Sequence, residues 1–206
     1  MPIQHRFPLF CLDLEGVLWP EMWQSVARLT NIEELGLTTQ EIQSYDELMH
    51  IRLKALESSN VTLPQIQEII ESLEPLDGAK AFLAELRKLG QVVIISDTFV
   101  EFLRPVLREL NNPMVFCNAL ETDEKGFIKR HIMRSSIGKK GMLAALSSQG
   151  YSVGAAGDSY NDIGMLLEAQ WGAFLFAPEH IVRQFPQIPD MHSYDDLLSY
   201  WRHSLH

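Results

Sequence analysis

Short apolar runs alternate with helix-length amphipathic segments along most of this chain. Brief apolar runs between polar turns are typical of parallel strands buried on both faces. Strands are predicted at residues 9–12, 92–95, 114–117, 151–156 and 173–176. Helices are predicted at residues 79–89, 99–110, 139–148, 162–170, 179–185 and 194–203. This alternation predicts an α/β fold with a doubly wound, mostly parallel sheet. A β-hairpin is predicted around residues 123–126.

The segment 20–74 departs from this alternation because it has helical periodicity and no strand. Its clearest apolar stripe follows a capping box of Thr62 and Gln65. The insert follows the first strand, so we expect it to cover the carboxyl ends of the strands, where such sheets bind ligands. The expected domains are a catalytic core of residues 1–19 and 76–206 and a helical cap of residues 20–75.

The composition limits the kinds of molecule that the protein is expected to bind. The 206 residues carry a net charge of −10, which argues against nucleic acid or an anionic membrane as the main partner. A small phosphorylated substrate remains compatible, because a local pocket of cations and backbone N–H groups suffices for it. The sequence shows no membrane-spanning run and no signal peptide, which favours a cytoplasmic location. The sequence does not fix the oligomeric state, and a homodimer is one of the open alternatives.

Two acidic clusters follow apolar strands. Asp13 and Glu15 come directly after the first strand, and Asp158, Asn161 and Asp162 follow the strand at 151–156. A carboxylate at the tip of an apolar strand is costly unless something pairs with it. We therefore expect one Mg²⁺ site built from distant segments, with Asp13 and Asp158 as ligands.

The remaining candidates fit phosphoryl transfer through an aspartyl-phosphate. Asp13 is the candidate nucleophile, and Glu15 is the candidate general acid and base. Ser96 and Asp97 follow the second strand, where a hydroxyl and free N–H groups can hold a phosphoryl oxygen. A lysine at the start of the predicted helix 139–148 can neutralise charge on the aspartate and the phosphoryl group, and Lys139 is favoured there over its neighbour Lys140. Asn161 is a further candidate for substrate binding, and Asp162 completes its loop.

This ordered set resembles the haloacid-dehalogenase superfamily of phosphohydrolases. That family has an Asp-x-Asp motif, a Ser or Thr, a Lys and a Gly-Asp-x-x-x-Asp motif. Asp13, Ser96, Lys139 and the Asp158/Asp162 pair match these motifs in order. The resemblance implies a Rossmann-like core and Mg²⁺. Glu15 stands where the family has its second aspartate, and it is implied to bind the metal through its backbone carbonyl.

A closer resemblance is carried by four stretches, including Asp-Leu-Glu-Gly-Val-Leu from Asp13 and Gly-Asp-Ser-Tyr-Asn-Asp from Gly157. They are similar to phosphoserine-phosphatase-like enzymes that also act as phosphoserine:homoserine phosphotransferases, the ThrH type. The resemblance implies hydrolysis of O-phospho-L-serine, with transfer of the phosphoryl group to L-homoserine. It also implies that Glu21 binds the substrate ammonium and Arg52 the carboxylate.

Alternatives stay open at this point. The chain could be another capped phosphatase for a sugar phosphate or nucleotide, or a non-enzymatic phosphoacceptor module. Ser96 could cap a helix, and Lys139 and Lys140 could both be solvated. Arg52 could face solvent, and Glu21 could be an acid favoured by the dipole of a first helical turn.

Overall fold

A computed structural model describes residues 8–39, 41–42, 44–134 and 137–205. The ends of the predicted core, together with residues 135–136, lie outside the described residues. Residues 40 and 43 of the predicted cap do so as well.

The core is a sheet of seven described strands in the order β4-β3-β2-β1-β5-β6-β7. Every described pair is parallel except β3 with β4, which form the predicted hairpin. The doubly wound, mostly parallel α/β fold is therefore confirmed. The strands are β1 (Pro8–Leu12), β2 (Gln91–Phe99), β3 (Met114–Thr122), β4 (Ile128–Ile132), β5 (Ser152–Gly157), β6 (Trp171–Leu175) and β7 (Asp190–Met191).

Helices cover both faces of this sheet. Successive residues of a strand point to opposite sides, so each strand contributes apolar side chains to the clusters on both faces. Leu9 and Cys11 belong to one buried cluster, and Phe10 and Leu12 belong to the other. No described helix is long and apolar enough to cross a membrane. The helices are α1 (Met22–Thr30), α2 (Tyr45–Ser58), α3 (Leu63–Glu71), α4 (Ala79–Leu89), α5 (Leu103–Glu109), α6 (Gly138–Ser148), α7 (Ile163–Glu168), α8 (Glu179–Val182) and α9 (Tyr194–Ser204).

The second strand is longer than its apolar run predicted. It continues through Ser96 to Phe99, where Phe99 pairs with Asn118 of β3 across a shift in register. The helix predicted from residue 99 therefore starts later, as a 3-10 turn at Val100–Phe102 followed by α5. The two-residue strand β7 is too short to leave a periodic signal in the sequence.

The segment between β1 and α4 is less continuously helical than predicted. Asn31 adopts a left-handed conformation at φ 55° and ends α1, and only a short 3-10 turn at Glu33–Gly36 precedes α2 in the described residues. The helices nevertheless share one apolar cluster with the sheet, in which Trp23 meets Phe99 and Phe102 edge-on. Helix α2 also packs against β4 of the hairpin.

Candidate active site

The register of the sheet brings three distant candidates to one edge. Leu12 pairs with Ile94 of β2 on one side and with Ala156 of β5 on the other. Asp13, Ser96 and Asp158 follow within two residues of these pairs, at the carboxyl ends of adjacent parallel strands. All three line one pocket beneath α1 and α2.

A buried lysine links two of the carboxylates. Lys139 Nζ lies 2.9 Å from Asp13 Oδ2 and 2.8 Å from Asp162 Oδ1. Burial alone would lower the pKa of Lys139, but Asp13, Asp162 and Asp97 raise it well above its usual value. Its charge is therefore kept at neutral pH. The neighbouring Lys140 lies outside the site, exposed and 3.8 Å from Glu168.

Asp162 organises the loop after β5. Its Oδ2 accepts hydrogen bonds from the amides of Asp158 and Ser159 and from the Ser159 hydroxyl. Its Oδ1 accepts from Lys139. A Cβ at Gly157 would lie 2.3 Å from the Asp162 carboxyl carbon, so only glycine allows this approach. With both of its oxygens engaged, Asp162 shapes the loop and leaves the neighbouring Asp158 to face the pocket.

Asp13, Asp158 and Asp162 form an aspartate cluster whose nearest carboxylate oxygens lie within 4.8 Å of one another. Asp158 packs directly against Gly16, which has φ +75° and whose added Cβ would lie 2.2 Å from Asp158 Oδ2. A side chain at residue 16 would therefore both strain the backbone and displace this carboxylate.

Acidic side chains outnumber basic side chains in the pocket. Burial, with the nearby charge of Asp162, raises the pKa of Asp13 well above its usual range. Burial and the same neighbour raise the pKa of Asp158 to about 7. Among the described lining residues, five carboxylates face two cations: Asp13, Glu15, Glu21, Asp97 and Asp158 against Arg52 and Lys139. This surplus and its hard oxygen donors fit a divalent cation.

Glu15 lies in the same pocket, in the turn after β1. Its Oε1 accepts a hydrogen bond of 2.8 Å from the amide of Met22 at the start of α1. Burial, and next the charge of Glu21, raise the pKa of Glu15 to about 8. The carboxyl group can therefore hold a proton at neutral pH and release it within the pocket.

The groups predicted to bind substrate differ in exposure. Ser96 is buried in the distorted end of β2, where its hydroxyl accepts from the amide of Thr98 at 3.2 Å, so it does not cap a helix. The partly exposed carboxylate of Asp97 lies 3.8 Å from Lys139 Nζ. Asn161 lines the pocket from an exposed position.

Arg52 lies in the pocket wall rather than in solvent. It exposes only 7% of its surface, and its guanidinium carbon lies 4.9 Å from the ring centre of Trp23. Nη2 donates to the carbonyl of Leu37 at 2.6 Å, while Nε has no partner among the described residues. Burial lowers the pKa of Arg52. No described carboxylate is within ion-pair distance, so the charge is free to meet an anionic ligand.

Glu21 lies at the N-terminus of α1, exposed at the pocket rim. Loss of solvent around the carboxyl group raises the pKa of Glu21, although the positive charge of Arg52 opposes this shift. The pocket therefore offers one acidic and one basic side chain on the side contributed by α1 and α2. The aspartates and Lys139 occupy the side contributed by the sheet.

Two aromatic residues that the sequence did not single out as ligands also line the pocket. Tyr45 opens α2, and its hydroxyl donates to the backbone carbonyl of Asp97 across a long 3.4 Å contact. Trp23, beneath Arg52, also reaches the pocket. Both lie in predicted helices, but which face of a helix meets the pocket depends on how α1 and α2 pack on the core.

Comparison with known proteins agrees with this architecture. Residues 7–170 match the family model for haloacid dehalogenase-like hydrolases. The chain is 46% identical over 187 residues to the phosphoserine phosphatase ThrH of Pseudomonas aeruginosa, covering 91% of both chains. It is also 46% identical over 187 residues to a phosphoserine phosphatase of Pseudomonas syringae pv. tomato, covering 91% of this chain and 79% of that one.

A solved structure described as a phospho-aspartyl intermediate analogue of phosphoserine phosphatase superposes with a TM-score of 0.75. It covers 95% of this chain and 99% of its own at 19% identity. At that identity the likeness shows a shared fold.

Proposed function

Because the chain belongs to the haloacid dehalogenase-like hydrolases, we propose that it is a phosphatase for O-phospho-L-serine that works through an aspartyl-phosphate. Two relatives of 46% identity carry the name phosphoserine phosphatase, which supports this substrate. In this proposal residues 1–19 and 76–206 carry the reacting groups, and residues 20–75 close over them as a cap.

Asp13 is the proposed nucleophile. One carboxylate oxygen forms a bond to phosphorus while the bond from phosphorus to the serine oxygen breaks. The other features of Asp13 suit this role: its Oδ1 is oriented by the Leu14 amide at 2.7 Å, and its Oδ2 lies 2.9 Å from Lys139. The charge of Lys139 balances negative charge on the phosphoryl oxygens, and the Ser96 hydroxyl can donate a hydrogen bond to one of them.

Mg²⁺ is the proposed cofactor, since the acidic surplus of the pocket and the aspartate cluster fit a hard divalent cation. The side chains of Asp13 and Asp158 and the backbone carbonyl of Glu15 would hold it. When bound, the ion neutralises charge that would otherwise repel a phosphate dianion. Asp162 supports the loop that carries Asp158.

Glu15 is the proposed general acid and base. Because its pKa is raised, the carboxyl group of Glu15 holds a proton at neutral pH and can donate it to the departing serine oxygen. The resulting carboxylate then takes a proton from water as that water attacks phosphorus. The bond between Asp13 and phosphorus breaks, which releases inorganic phosphate and restores both carboxyl groups.

The observation that carries the choice of substrate is the buried guanidinium of Arg52, which lines the same pocket as Lys139 and has no described carboxylate within ion-pair distance. An α-amino acid phosphate needs an anion partner for its ammonium and a cation for its carboxylate. Glu21 and Arg52 supply this pair. A sugar phosphate or nucleotide would leave the Arg52 charge without a carboxylate, and a non-enzymatic phosphoacceptor would use neither Arg52 nor Glu15.

Replacing Arg52 by alanine tests this assignment. We expect Arg52→Ala to lower kcat/KM for phosphoserine by roughly ten- to a hundredfold, the worth of a charge-assisted hydrogen bond. O-phosphoethanolamine, which has the ammonium but no carboxylate, should lose far less. Arg28→Ala, an exposed arginine of α1, is the matched control. Equal losses with both substrates would point to a structural role for Arg52 and revive the sugar-phosphate alternative.

Metal dependence is testable by stability as well as by turnover. With Mg²⁺ at about a hundred times its Kd, we expect thermal unfolding of the wild type to shift upward by roughly 5–10 °C. Asp158→Ala should fold, because it removes a carboxylate repelled by Asp162, and should lose most of this shift. Full turnover after exhaustive chelation, or an unchanged shift in the variant, would contradict the site.

A second activity follows from the same recognition pair. L-Homoserine has the ammonium and carboxylate of serine, with one more methylene before its hydroxyl. We propose that it can occupy the vacated serine site and receive the phosphoryl group from Asp13, with Glu15 taking the proton of its hydroxyl. Closure of the cap over homoserine would exclude the competing water.

Labelled phosphoserine with millimolar homoserine should therefore give labelled O-phosphohomoserine in the absence of ATP. 1-Propanol, which has the alcohol but neither charged group, is the control acceptor and should yield no comparable product. If all of the label appears as inorganic phosphate at every homoserine concentration, hydrolysis is the whole activity.

A further inference from the structure

A side-chain hydrogen bond from α9 reaches the segment 14–19, which we call the acid loop because it carries Glu15. The hydroxyl of Tyr194 donates to the carbonyl oxygen of Val17 at 2.7 Å, across 177 residues of sequence. Val17 is fully buried, so a carbonyl left without this donor would pay the cost of an unmet hydrogen bond. Burial, and then the charge of Asp77, raise the pKa of Tyr194, so its hydroxyl stays a donor at neutral pH.

The acid loop is closed by its own backbone. Gly16 N donates to Trp19 O at 2.8 Å, and the amides of Leu18 and Trp19 donate to Leu14 O at 2.8 and 2.9 Å. These bonds set the shape of the loop but do not attach it to the core. The loop is attached by its apolar side chains, all of which are buried in the core. Its backbone is attached through Leu76 N, which donates to Leu18 O at 3.0 Å, and through Tyr194, which donates to Val17 O.

The position of the acid loop affects the site because the loop carries Glu15 and contacts Asp158. Glu15 is two residues before Val17 and faces the pocket, and Gly16 packs against Asp158. A shift of the loop would therefore move the proposed proton donor. It would also change the contact with one carboxylate of the aspartate cluster.

Tyr194 is itself held firmly. Its ring stacks on Phe82 of α4 with centroids 4.6 Å apart and meets Phe176 edge-on at 5.1 Å. Phe176 adopts φ 61°, which is costly for a bulky side chain and persists only where surrounding contacts hold it. On the remaining side, a Cβ at Gly78 would lie 3.3 Å from the Tyr194 ring, so glycine there permits the close approach.

We propose that Tyr194 is a positioning residue for phosphoryl transfer, which holds the acid loop so that Glu15 meets the leaving oxygen of the substrate. It touches neither substrate nor metal and acts through Val17. This inference rests on the proposed function, because it concerns the proton that Glu15 gives to the leaving group.

Tyr194→Phe tests it with little disturbance, because the variant keeps the ring and its two aromatic contacts. We expect kcat for phosphoserine to fall about tenfold with KM little changed, since small misplacements of a catalytic group are costly. With p-nitrophenyl phosphate, whose leaving group needs little protonation, the loss should be several-fold smaller. Tyr200→Phe on the same helix is the matched control, because the Tyr200 hydroxyl has no hydrogen bond among the described residues.

Coupling to Glu15 gives a second readout. In a Glu15→Gln background the further change Tyr194→Phe should cost less than about twofold with phosphoserine, because the group being positioned is already lost. Equal losses with both substrates, or fully multiplicative effects in the double variant, would overturn the proposal. Should Tyr194→Phe fold poorly, Phe176→Ala removes a ring contact from the exposed side and should show the same dependence on the leaving group.

Amide hydrogen exchange separates this inference from the proposed function, because it needs no substrate. Exchange at Gly16, Leu18 and Trp19 should accelerate about tenfold in Tyr194→Phe and remain unchanged in Tyr200→Phe. If the wild type does not turn over phosphoserine, the proposed function fails whatever the exchange shows. If the wild type is active but exchange and kcat in Tyr194→Phe match the wild type, the role of Tyr194 is refuted.

Discussion

Asp13→Asn should reduce turnover of phosphoserine by roughly 10⁴-fold or more, because an amide is a poor nucleophile and a poor metal ligand. The variant is expected to fold. Its amide oxygen can still accept from Leu14 N, and Lys139 keeps Asp162 as a partner. Measured kcat should therefore collapse while the midpoint of thermal unfolding changes by only a few degrees.

Asp195→Asn, prepared in parallel, serves as the control, since Asp195 is exposed on α9. It should retain wild-type turnover, whereas the loss of turnover in Asp13→Asn, purified in the same way, would exclude a contaminating phosphatase. Substantial turnover by Asp13→Asn with phosphoserine would remove Asp13 from the role of nucleophile.

Glu15→Gln should slow phosphoenzyme formation from phosphoserine by roughly 10²–10⁴-fold, the usual worth of general acid catalysis. The glutamine keeps an oxygen for the Met22 amide and nearly the same shape, so the loop should be preserved. What it lacks is a proton that can be transferred at neutral pH. Single-turnover rates with phosphoserine and with p-nitrophenyl phosphate are the measurement.

The leaving group supplies the internal control for this prediction. Nitrophenolate departs without a proton, so the loss with p-nitrophenyl phosphate should be small. An equal loss with both substrates would mean that Glu15 acts through the fold or the metal site rather than as an acid.

The sequence predicted the residues that the sheet contributes to the pocket, because each of them can be recognised from the apolar run that precedes it. Asp13, Ser96 and Asp158 each follow an apolar run, and parallel strands bring their carboxyl ends to one edge. The same reasoning misjudged the end of β2. The apolar run stops at Ile95, but pairing of Phe99 with β3 extends the strand beyond it.

The wall contributed by α1 and α2 was less accessible to sequence reasoning. Arg52 and Glu21 were predicted from a family resemblance, since periodicity alone cannot tell which polar residue of a helix faces a pocket. Tyr45 was missed for that reason. The bond between Tyr194 and Val17 joins positions 177 residues apart, and neither position carries a pattern that would reveal it.

The central claim is that Asp13 carries the phosphoryl group between substrate and acceptor. Rapid acid quench of the wild type with ³²P-phosphoserine should trap label on the protein as an acyl phosphate. That label should be released by hydroxylamine and map to the peptide containing Asp13. Label that resists hydroxylamine, or that maps to Ser96 or a histidine, would contradict the account.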